Sequence, residues 1–316
     1  MISNNMIKVR FWIIEVIVLL IFPVLILASG LSVIFDYLFK KQEKSVHGDV
    51  ALITGSGNGL GKQIAIELAK KGCHIAVVDI NAEAAEKTSK ELIDAYKIKS
   101  KGFKVDVTKY ENIIKLAKDV EEQLGPVTIL INNAGMLTFK KFIKPTPEET
   151  QNMINTNLTS HFYTIRIFLE KMRELGKGHI VAISSIAGLL PCHRQLEYTA
   201  SKFGVRGLML ALETELFAFN AQFIKTTTVF PFFLKTNAVV DELVSKIGIT
   251  NLYPSISGEE AAKAIVDGIV RNKMEVFIPR ITGLQYRMLG LLPTNWVLRF
   301  LNRLTSRQDL EILNNS

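Results

Sequence analysis

The stretch Asp49-Val50-Ala51-Leu52-Ile53-Thr54 runs directly into the turn Gly55-Ser56-Gly57-Asn58-Gly59-Leu60-Gly61. The first six residues are typical of a buried strand, and residues 62–71 continue with a helical pattern. Glycines between a strand and a helix let the backbone approach a pyrophosphate, which the N–H groups at the helix N-terminus attract. The stretch therefore predicts a nucleotide-binding turn. A plain flexible turn is the alternative, because the glycine spacing departs from the common Gly-x-Gly-x-x-Gly pattern.

The next predicted strand, residues 74–78, ends at Asp79. A carboxylate at this position can accept both ribose hydroxyls of an adenosine, and it repels a 2′-phosphate. No basic residue follows at once, since Ile80 and Asn81 stand there, and Asn58 occupies the glycine turn. The charges therefore predict NAD, and not NADP, as the cofactor. The alternative role for Asp79 is that of a cap for the helix predicted at 82–96.

The alternation of strand and helix continues through the first half of the chain. Residues 102–105 and 127–131 are predicted strands, and residues 109–124 form a helical pattern between them. This rhythm predicts an α/β fold with a doubly wound parallel sheet of the Rossmann-like kind. Ligands bind such sheets beyond the carboxyl ends of the strands, where Asp106 and Asn133 also fall.

The pattern that suggests chemistry is Tyr198-Thr199-Ala200-Ser201-Lys202. A spacing of four puts Tyr198 and Lys202 on one helix face. We expect the ammonium to lower the pKa of the phenol, so that the tyrosine can exchange a proton with an alcohol or a carbonyl. Ser185 ends the predicted strand 179–185 and could bind the substrate oxygen, although Ser184 and Ser185 could instead cap a turn. One of the two serines is expected to face the site.

The motifs together resemble the short-chain dehydrogenase/reductase family over residues 48–280. They are Thr54-Gly55-x-x-x-Gly59-x-Gly61, Asn132-Asn133-Ala134-Gly135, Asn157, Ser185, Tyr198-x-x-x-Lys202 and Pro231 with Thr236. The glycine pattern is that family's own form. One departure is Phe232-Phe233, which stands where many members have a glycine after the proline.

The resemblance implies a catalytic tetrad of Asn157, Ser185, Tyr198 and Lys202. Tyr198 would be the acid/base, Lys202 would also bind the nicotinamide ribose, Asn157 would hold a water and Ser185 would steady the substrate oxygen. The implied cofactor contacts are Gly55, Ser56, Asn58, Gly59, Leu60, Gly61, Asp79, Asp106, Val107, Asn133, Ala134, Gly135, Tyr198, Lys202, Pro231 and Thr236. The family also implies a homodimer through the helices around 150–175 and 198–220.

Residues 11–35 form a nearly continuous apolar run with one charge, Glu15. The run exceeds the ~20 residues that cross a bilayer as a helix. We expect a retained membrane anchor, and a cleavable signal peptide is the alternative. Pro23 in mid-segment and basic residues on both flanks leave a hairpin open beside a single span. Three parts are thus predicted: an anchor and linker at 1–47, the dehydrogenase domain at 48–280 and a C-terminal tail at 281–316.

The anchor and the core together are similar to the membrane-associated branch that contains 17β-hydroxysteroid dehydrogenases types 11 and 13 and the retinol dehydrogenases. This likeness implies an endoplasmic reticulum or lipid-droplet protein with a cytosolic domain and a lipophilic substrate. Residues 237–257 lie where an apolar lid over the substrate pocket is expected. The tail interleaves apolar and basic residues, which predicts an amphipathic element on a membrane, with ordinary packing as the alternative.

Other classes of function are disfavoured. The chain has 316 residues, a net charge of +8 and scattered basic residues, so a nucleic-acid partner is not expected. Its two cysteines and five histidines show no metal-ligand spacing, and no metal is expected. The prediction is an NAD-dependent oxidation of a steroid, retinoid or long-chain alcohol. The alternatives are a lipid-surface scaffold that keeps the fold and an NADP-linked lipid ketone reductase.

Overall fold

The computed structural model describes residues 42–138, 144–232, 234–235 and 256–304, together with Trp12, Ile21, Pro23, Val24 and Gly30. The chain divides into two compact units, residues 1–43 and residues 44–316. Most of the predicted anchor, Thr236, nearly all of the predicted lid and the end of the tail lie outside the described residues. No helix within the described part of the chain is long and apolar enough to cross a membrane.

The second unit is built on a parallel sheet of seven strands. The strands in chain order are β1 Val50–Thr54, β2 His74–Asp79, β3 Ser100–Lys104, β4 Val127–Asn132, β5 Gly178–Ile183, β6 Ile224–Pro231, β7 Leu234–Lys235, β8 Ile256–Ser257 and β9 Glu275–Ile278. The sheet order is β3-β2-β1-β4-β5-β6-β9, while β7 and β8 pair separately. Every neighbouring pair is parallel, which confirms the predicted Rossmann-like sheet.

Helices cover both faces of this sheet. They are α1 Gly59–Lys70, α2 Ala82–Tyr96, α3 Tyr110–Gln123, α4 Pro147–Ile154, α5 Ser160–Glu174, α6 Leu196–Ala218, α7 Gly258–Val270, α8 Ile281–Leu289 and α9 Thr294–Leu304. One core layer packs α1, α2 and α7 against the sheet, and the other packs α3, α5 and α6 against the opposite face. The strands are therefore buried on both sides, which explains their nearly continuous apolar sequences.

Local sequence explains several helix starts. Thr146 and Glu149 form a capping box at α4, and Ser257 and Glu260 form another at α7. Pro147 occupies the first turn of α4, where its missing N–H costs nothing. The helix predicted from residue 150 thus begins at Pro147.

β1 and β4 lie side by side in the sheet. From β1 the strands β2 and β3 extend to one side, and from β4 the strands β5, β6 and β9 extend to the other. The chain therefore leaves β1 and β4 toward opposite sides, and a crevice opens beyond their carboxyl ends. Thr54, Asn132 and Ile183 end the three central strands. These strands are followed directly by the glycine turn, by residues 133–135 and by Ser184 and Ser185, respectively.

Candidate active site

The glycine turn passes closely over the end of β4. Gly55 and Gly59 have φ values of +63° and +58°, which glycine adopts at no steric cost. A Cβ atom on Gly55 would lie 2.9 Å from the Cα of Ala134, and one on Gly61 would overlap the carbonyl oxygen of Gly55. Asn58 precedes α1 without a side-chain cap, so the N–H groups of the first turn point out of the helix end. This arrangement suits an anionic ligand.

Thr54 and Asn133 join the ends of β1 and β4. The hydroxyl of Thr54 accepts from the N–H groups of Asn133 and Ala134, both at 3.0 Å. The Asn133 side-chain amide donates to the carbonyls of Thr54 and Gly55, both at 2.9 Å. Thr54 belongs to the glycine motif but is not among the predicted site residues. Its place at the end of the first predicted strand is the signal that could have identified it.

Asp79 ends β2 beside the glycine turn. One carboxylate oxygen accepts from the N–H of Gly57 at 2.9 Å, and the other accepts from the N–H of Asn81 at 3.0 Å. The cap of α2 is Asn81, whose side chain accepts from Ala84 N–H, so the alternative role of Asp79 as the helix cap is wrong. The carboxylate is thus held by backbone donors at the edge of the crevice.

The neighbouring strand β3 is followed by Asp106 and Val107. A carboxylate oxygen of Asp106 accepts from the N–H and the hydroxyl of Thr108, at 2.9 and 2.6 Å. Val107 is buried. Both residues leave the sheet at the same edge as Asp79, because the two strands are parallel.

Ser185, Tyr198 and Lys202 meet beyond the end of β5. The Ser185 side chain lies beside the Tyr198 hydroxyl, where it favours the ionised form of the phenol. Lys202 is buried, its Nζ donates to the carbonyl of Ile183 at 2.8 Å, and the same atom lies 5.6 Å from the centre of the Tyr198 ring. The Ser185 oxygen also accepts from Ala187 N–H at 3.1 Å, so this serine caps a turn and faces the tyrosine at once.

Asn157 enters the same cluster from a π turn, Asn155–Thr159, between α4 and α5. Its side-chain oxygen accepts from Met136 N–H at 2.8 Å, and its amide donates to the Met136 carbonyl at 2.9 Å and to the Ser201 hydroxyl at 3.3 Å. A Cβ atom on Gly135 would lie 3.3 Å from the Asn157 oxygen and 3.7 Å from the Lys202 nitrogen. The structure therefore brings the four predicted catalytic residues together.

The sequence predicts a lowered pKa for Tyr198, and for the protein without its cofactor this prediction is wrong. Burial raises the pKa of Tyr198 to about 12, against a smaller lowering by its hydrogen bond with Ser185. Burial also lowers the pKa of Lys202 to about 8. The ammonium lies over the ring and donates to a backbone carbonyl, so desolvation outweighs the attraction that the spacing suggested.

Ser184 and Ser201 support the site and were not predicted as site residues. The hydroxyl of Ser184 donates to the carbonyl of Lys202 at 3.0 Å, and that of Ser201 donates to the carbonyl of Tyr198 at 2.7 Å. Of the two serines after β5, Ser185 thus contacts Tyr198 and Ser184 holds α6. The signal for Ser184 was its place beside Ser185.

Pro231 is buried at the end of β6 and pairs with Ile278 of β9. The N–H of Phe232 donates to the Ile278 carbonyl at 2.7 Å, so the pairing continues past the proline where a glycine was expected. Thr236 lies outside the described residues. Among the described residues no cluster of histidine, cysteine or acidic side chains could hold a metal.

Comparison with known proteins agrees with this geometry. The family model for short chain dehydrogenase matches residues 49–247. Human epidermal retinol dehydrogenase 2 is 34% identical over 267 residues, covering 84% of this chain and 85% of that protein. Human 17-beta-hydroxysteroid dehydrogenase 13 is 31% identical over 281 residues, covering 89% and 90%.

Two solved structures share the fold. A short chain dehydrogenase/reductase from Burkholderia phymatum in complex with NAD is 22% identical, with a TM-score of 0.69 over 77% of this chain and 93% of that one. A metagenomic short-chain oxidoreductase in complex with NADP is 26% identical, with a TM-score of 0.61 over 74% and 96%. Because the family model and the relatives cover most of the chain, the predicted resemblance is confirmed, and the protein belongs to the short-chain dehydrogenase/reductase family of oxidoreductases that act on CH–OH groups.

Proposed function

We propose that the protein oxidises the hydroxyl group of a lipophilic alcohol to a carbonyl, with NAD as the cofactor. The observation that carries this proposal is the cluster of Ser185, Tyr198 and Lys202 beyond the end of β5. A serine hydroxyl beside a tyrosine hydroxyl, with a buried ammonium 5.6 Å from the tyrosine ring, suits the transfer of a proton from an alcohol. The relatives named as retinol and 17-beta-hydroxysteroid dehydrogenases support a hydroxyl on a large apolar molecule.

The glycine turn and Asp79 fit the adenosine and pyrophosphate parts of a dinucleotide. The space that a Cβ atom on Gly59 would enter is open, so a ligand can approach the backbone there. One structural neighbour is described with NAD and the other with NADP, so the choice of NAD rests on Asp79. Its carboxylate has free lone pairs for ribose hydroxyls and would repel a 2′-phosphate. When bound, NAD supplies the hydride acceptor and a positive charge.

Each member of the tetrad has a separate task in this proposal. Tyr198 removes the proton of the substrate hydroxyl, and Ser185 donates a hydrogen bond to the same oxygen. The ammonium of Lys202 stabilises the phenolate and binds the nicotinamide ribose. Asn157, fixed by both backbone groups of Met136, holds a water in the path by which the proton leaves. Cytosolic NAD is mostly oxidised, which favours oxidation over reduction.

A membrane or lipid-droplet surface is the proposed location of the reaction, with the domain on the cytosolic side of the endoplasmic reticulum. The apolar run at 11–35 supports an anchor. Helices α8 and α9 and the turn between them follow the edge strand β9. Several large apolar side chains of this segment are exposed: Leu284, Met288, Leu291, Leu292, Trp296 and Phe300. We call these six residues the C-terminal apolar surface. Contact with lipid there would bring an apolar substrate near the site.

Replacing Tyr198 with phenylalanine tests the mechanism. The variant keeps the ring but has no proton to exchange, so we expect turnover to fall by roughly 10²–10⁴-fold while NAD still binds. Turnover is measured by the absorbance of NADH with a panel of steroid, retinoid and fatty alcohols, and NAD binding by calorimetry.

The matched control is Tyr163→Phe, because Tyr163 lies on α5 in ring contact with Tyr110 and away from the tetrad. This variant should retain wild-type turnover. A Tyr198→Phe protein that works as fast as the wild type would refute the proposed mechanism.

A further inference from the structure

His161 is a buried histidine on α5 that the proposed chemistry does not use. It is 1% exposed. Neither of its ring nitrogens has a hydrogen-bond partner among the described residues. It stands four residues after Asn157 and three before Thr164, so the three side chains follow one another along the inner face of the helix. The charge of Lys202 on helix α6 acts on the ring.

The ring is neutral at physiological pH. Burial, with a smaller contribution from the charge of Lys202, lowers the pKa of His161 to about 3. A neutral imidazole carries one N–H donor and one bare acceptor nitrogen. Interior polar groups of this kind are nearly always satisfied by protein or by an enclosed water, because leaving them unpaired is costly. A phenylalanine would fill the position without the cost of an unpaired polar group. The imidazole is therefore expected to have a polar partner.

A second interior group shares this need. The side-chain nitrogen of Asn132 has no partner among the described residues either. Its side-chain oxygen accepts from the hydroxyl of Thr164 at 2.7 Å. The same hydroxyl donates to the backbone carbonyl of His161 at 3.1 Å, so Thr164 links Asn132 at the end of β4 to the helical turn that carries the unpaired imidazole. Lys202, one of whose N–H groups donates to the carbonyl of Ile183, is buried as well, and its charge acts on the His161 ring.

We propose that His161 is a positioning residue that holds an enclosed water against the ammonium of Lys202, one helical turn behind Asn157. The water accepts from an N–H of Lys202 and donates to the bare nitrogen of the imidazole. Such a water satisfies the bare nitrogen of the imidazole and partly solvates the ammonium, which favours the protonated form of Lys202. The ring therefore acts on the reaction through Lys202 and exchanges no proton with the substrate. The kinetic consequence rests on the proposed function, but the water site does not.

The first experiment observes the ring itself. The full-length protein is labelled with ¹⁵N-histidine, and the His161 signals are assigned by their loss in His161→Phe. We expect one neutral tautomer from mildly acidic to mildly alkaline pH, with transfer of magnetisation between the ring and a slowly exchanging water. A ring that titrates in the neutral range, or one that shows no such transfer, would overturn the proposal.

The second experiment measures alcohol oxidation across pH in three variants. In His161→Phe the ammonium loses its water, so we expect Lys202 to lose its proton at lower pH and turnover to fall roughly tenfold. His161→Gln keeps a donor and an acceptor and should restore most of the wild-type profile. The control is Phe168→Leu, a change of buried volume on the same helix that should leave the profile in place.

A His161→Phe profile identical in shape to the wild-type profile would contradict the proposal, as would a glutamine variant no better than the phenylalanine variant. Both results would assign His161 to packing alone. If the wild-type protein oxidises no alcohol in the panel, the proposed function fails, and the NMR experiment alone decides whether His161 holds a water.

Discussion

Lys202 and Tyr198 are two ionisable groups whose uncharged forms are favoured by burial. The pKa of Lys202 is lowered to about 8 and that of Tyr198 is raised to about 12. The proposed reaction needs the opposite forms, a charged lysine and an ionised tyrosine. The charged lysine is the major form below about pH 8, whereas the ionised tyrosine is a minor species, and the pH dependence of the rate follows from the two populations.

The first prediction concerns this pH dependence. Below the pKa of Lys202 the ammonium is intact, and each pH unit raises the phenolate population about tenfold, so oxidation accelerates with pH. Above about pH 8 the gain in phenolate is cancelled by the loss of the ammonium, and the rate becomes level. Initial rates at saturating NAD and constant ionic strength measure this profile.

Lys202→Met assigns the break to its residue. Methionine does not titrate, so the slower variant should keep accelerating with pH through the point where the wild type becomes level. A break near pH 8 that persists in Lys202→Met would show that another group causes it.

The second prediction concerns the choice of cofactor. Asp79→Asn removes the negative charge and keeps the shape of the side chain, and its one carbonyl oxygen can still accept from one of the two backbone N–H groups. Without that repulsion, the affinity for NADP relative to NAD should rise roughly tenfold or more. Calorimetric titration with both cofactors measures the ratio. Asp94→Asn makes the same charge change at an exposed position on α2 and should leave the ratio unchanged.

At this scale the sequence allowed the identity of the clustered residues to be predicted but not their surroundings. Tyr198 and Lys202 were placed on one face correctly, because helical spacing alone determines that. The sign of the tyrosine shift depends on how deeply the hydroxyl is buried, which spacing does not reveal. The roles of Thr54 and Ser184 depend on contacts with Ala134 and Lys202, which are distant in the chain.

Among the elements, the helix that carries Asn157 departs most from expectation. A single helix was predicted over residues 150–175, whereas the structure has α4, a π turn and α5. The π turn inserts one extra residue, which rotates Asn157 toward Met136 and Ser201. No propensity marks such a turn in Asn155-Thr156-Asn157-Leu158-Thr159. Its position depends instead on the hydrogen bonds of the Asn157 side chain across the cluster.

The third prediction compares two glycines that lie close to α6. Gly207 lies exposed in the helix with open space around a would-be Cβ atom, so Gly207→Ala should raise the free energy of unfolding by about 0.5–1 kcal/mol. Gly188 lies in the turn under the helix, and a Cβ atom there would be 2.7 Å from the carbonyl oxygen of Lys202. Gly188→Ala should lower that free energy by about 1–3 kcal/mol and displace Lys202.

Denaturant unfolding and NADH formation measure both variants. The Gly207→Ala protein should keep its activity, since the position is remote from the tetrad. If Gly188→Ala is as stable and as active as the wild type, the turn at Ile186–Gly188 does not position α6 as the contacts indicate.

For the whole molecule, the strand and helix rhythm was enough to predict a doubly wound sheet, because a parallel sheet requires a crossover helix between its strands. The arrangement of the tail could not be predicted in the same way. Interleaved apolar and basic residues are equally compatible with packing on the core and with lying on lipid. In the structure one side of the tail is packed, since Val297 is buried, whereas Met288, Leu291 and Trp296 remain more than half exposed.

The final prediction uses the two tryptophans of the chain, Trp12 and Trp296. In a Trp12→Phe variant, Trp296 is the sole source of tryptophan fluorescence and reports on α9. If the C-terminal apolar surface lies on lipid, its indole enters the interface on binding to anionic phospholipid vesicles. We expect its emission to shift to shorter wavelength and to be quenched by lipids with brominated acyl chains.

A second variant moves the probe to another exposed aromatic position. Phe219 follows α6 and is 63% exposed, away from the C-terminal apolar surface. The triple variant combines Trp12→Phe, Trp296→Phe and Phe219→Trp, so that position 219 carries its sole tryptophan. This tryptophan should stay in water and should not be quenched by the brominated lipids. Because both proteins keep the whole N-terminal run, both should bind the vesicles, and only the orientation of the domain separates their signals. Equal quenching of both probes, or quenching of neither, would contradict a membrane-facing tail.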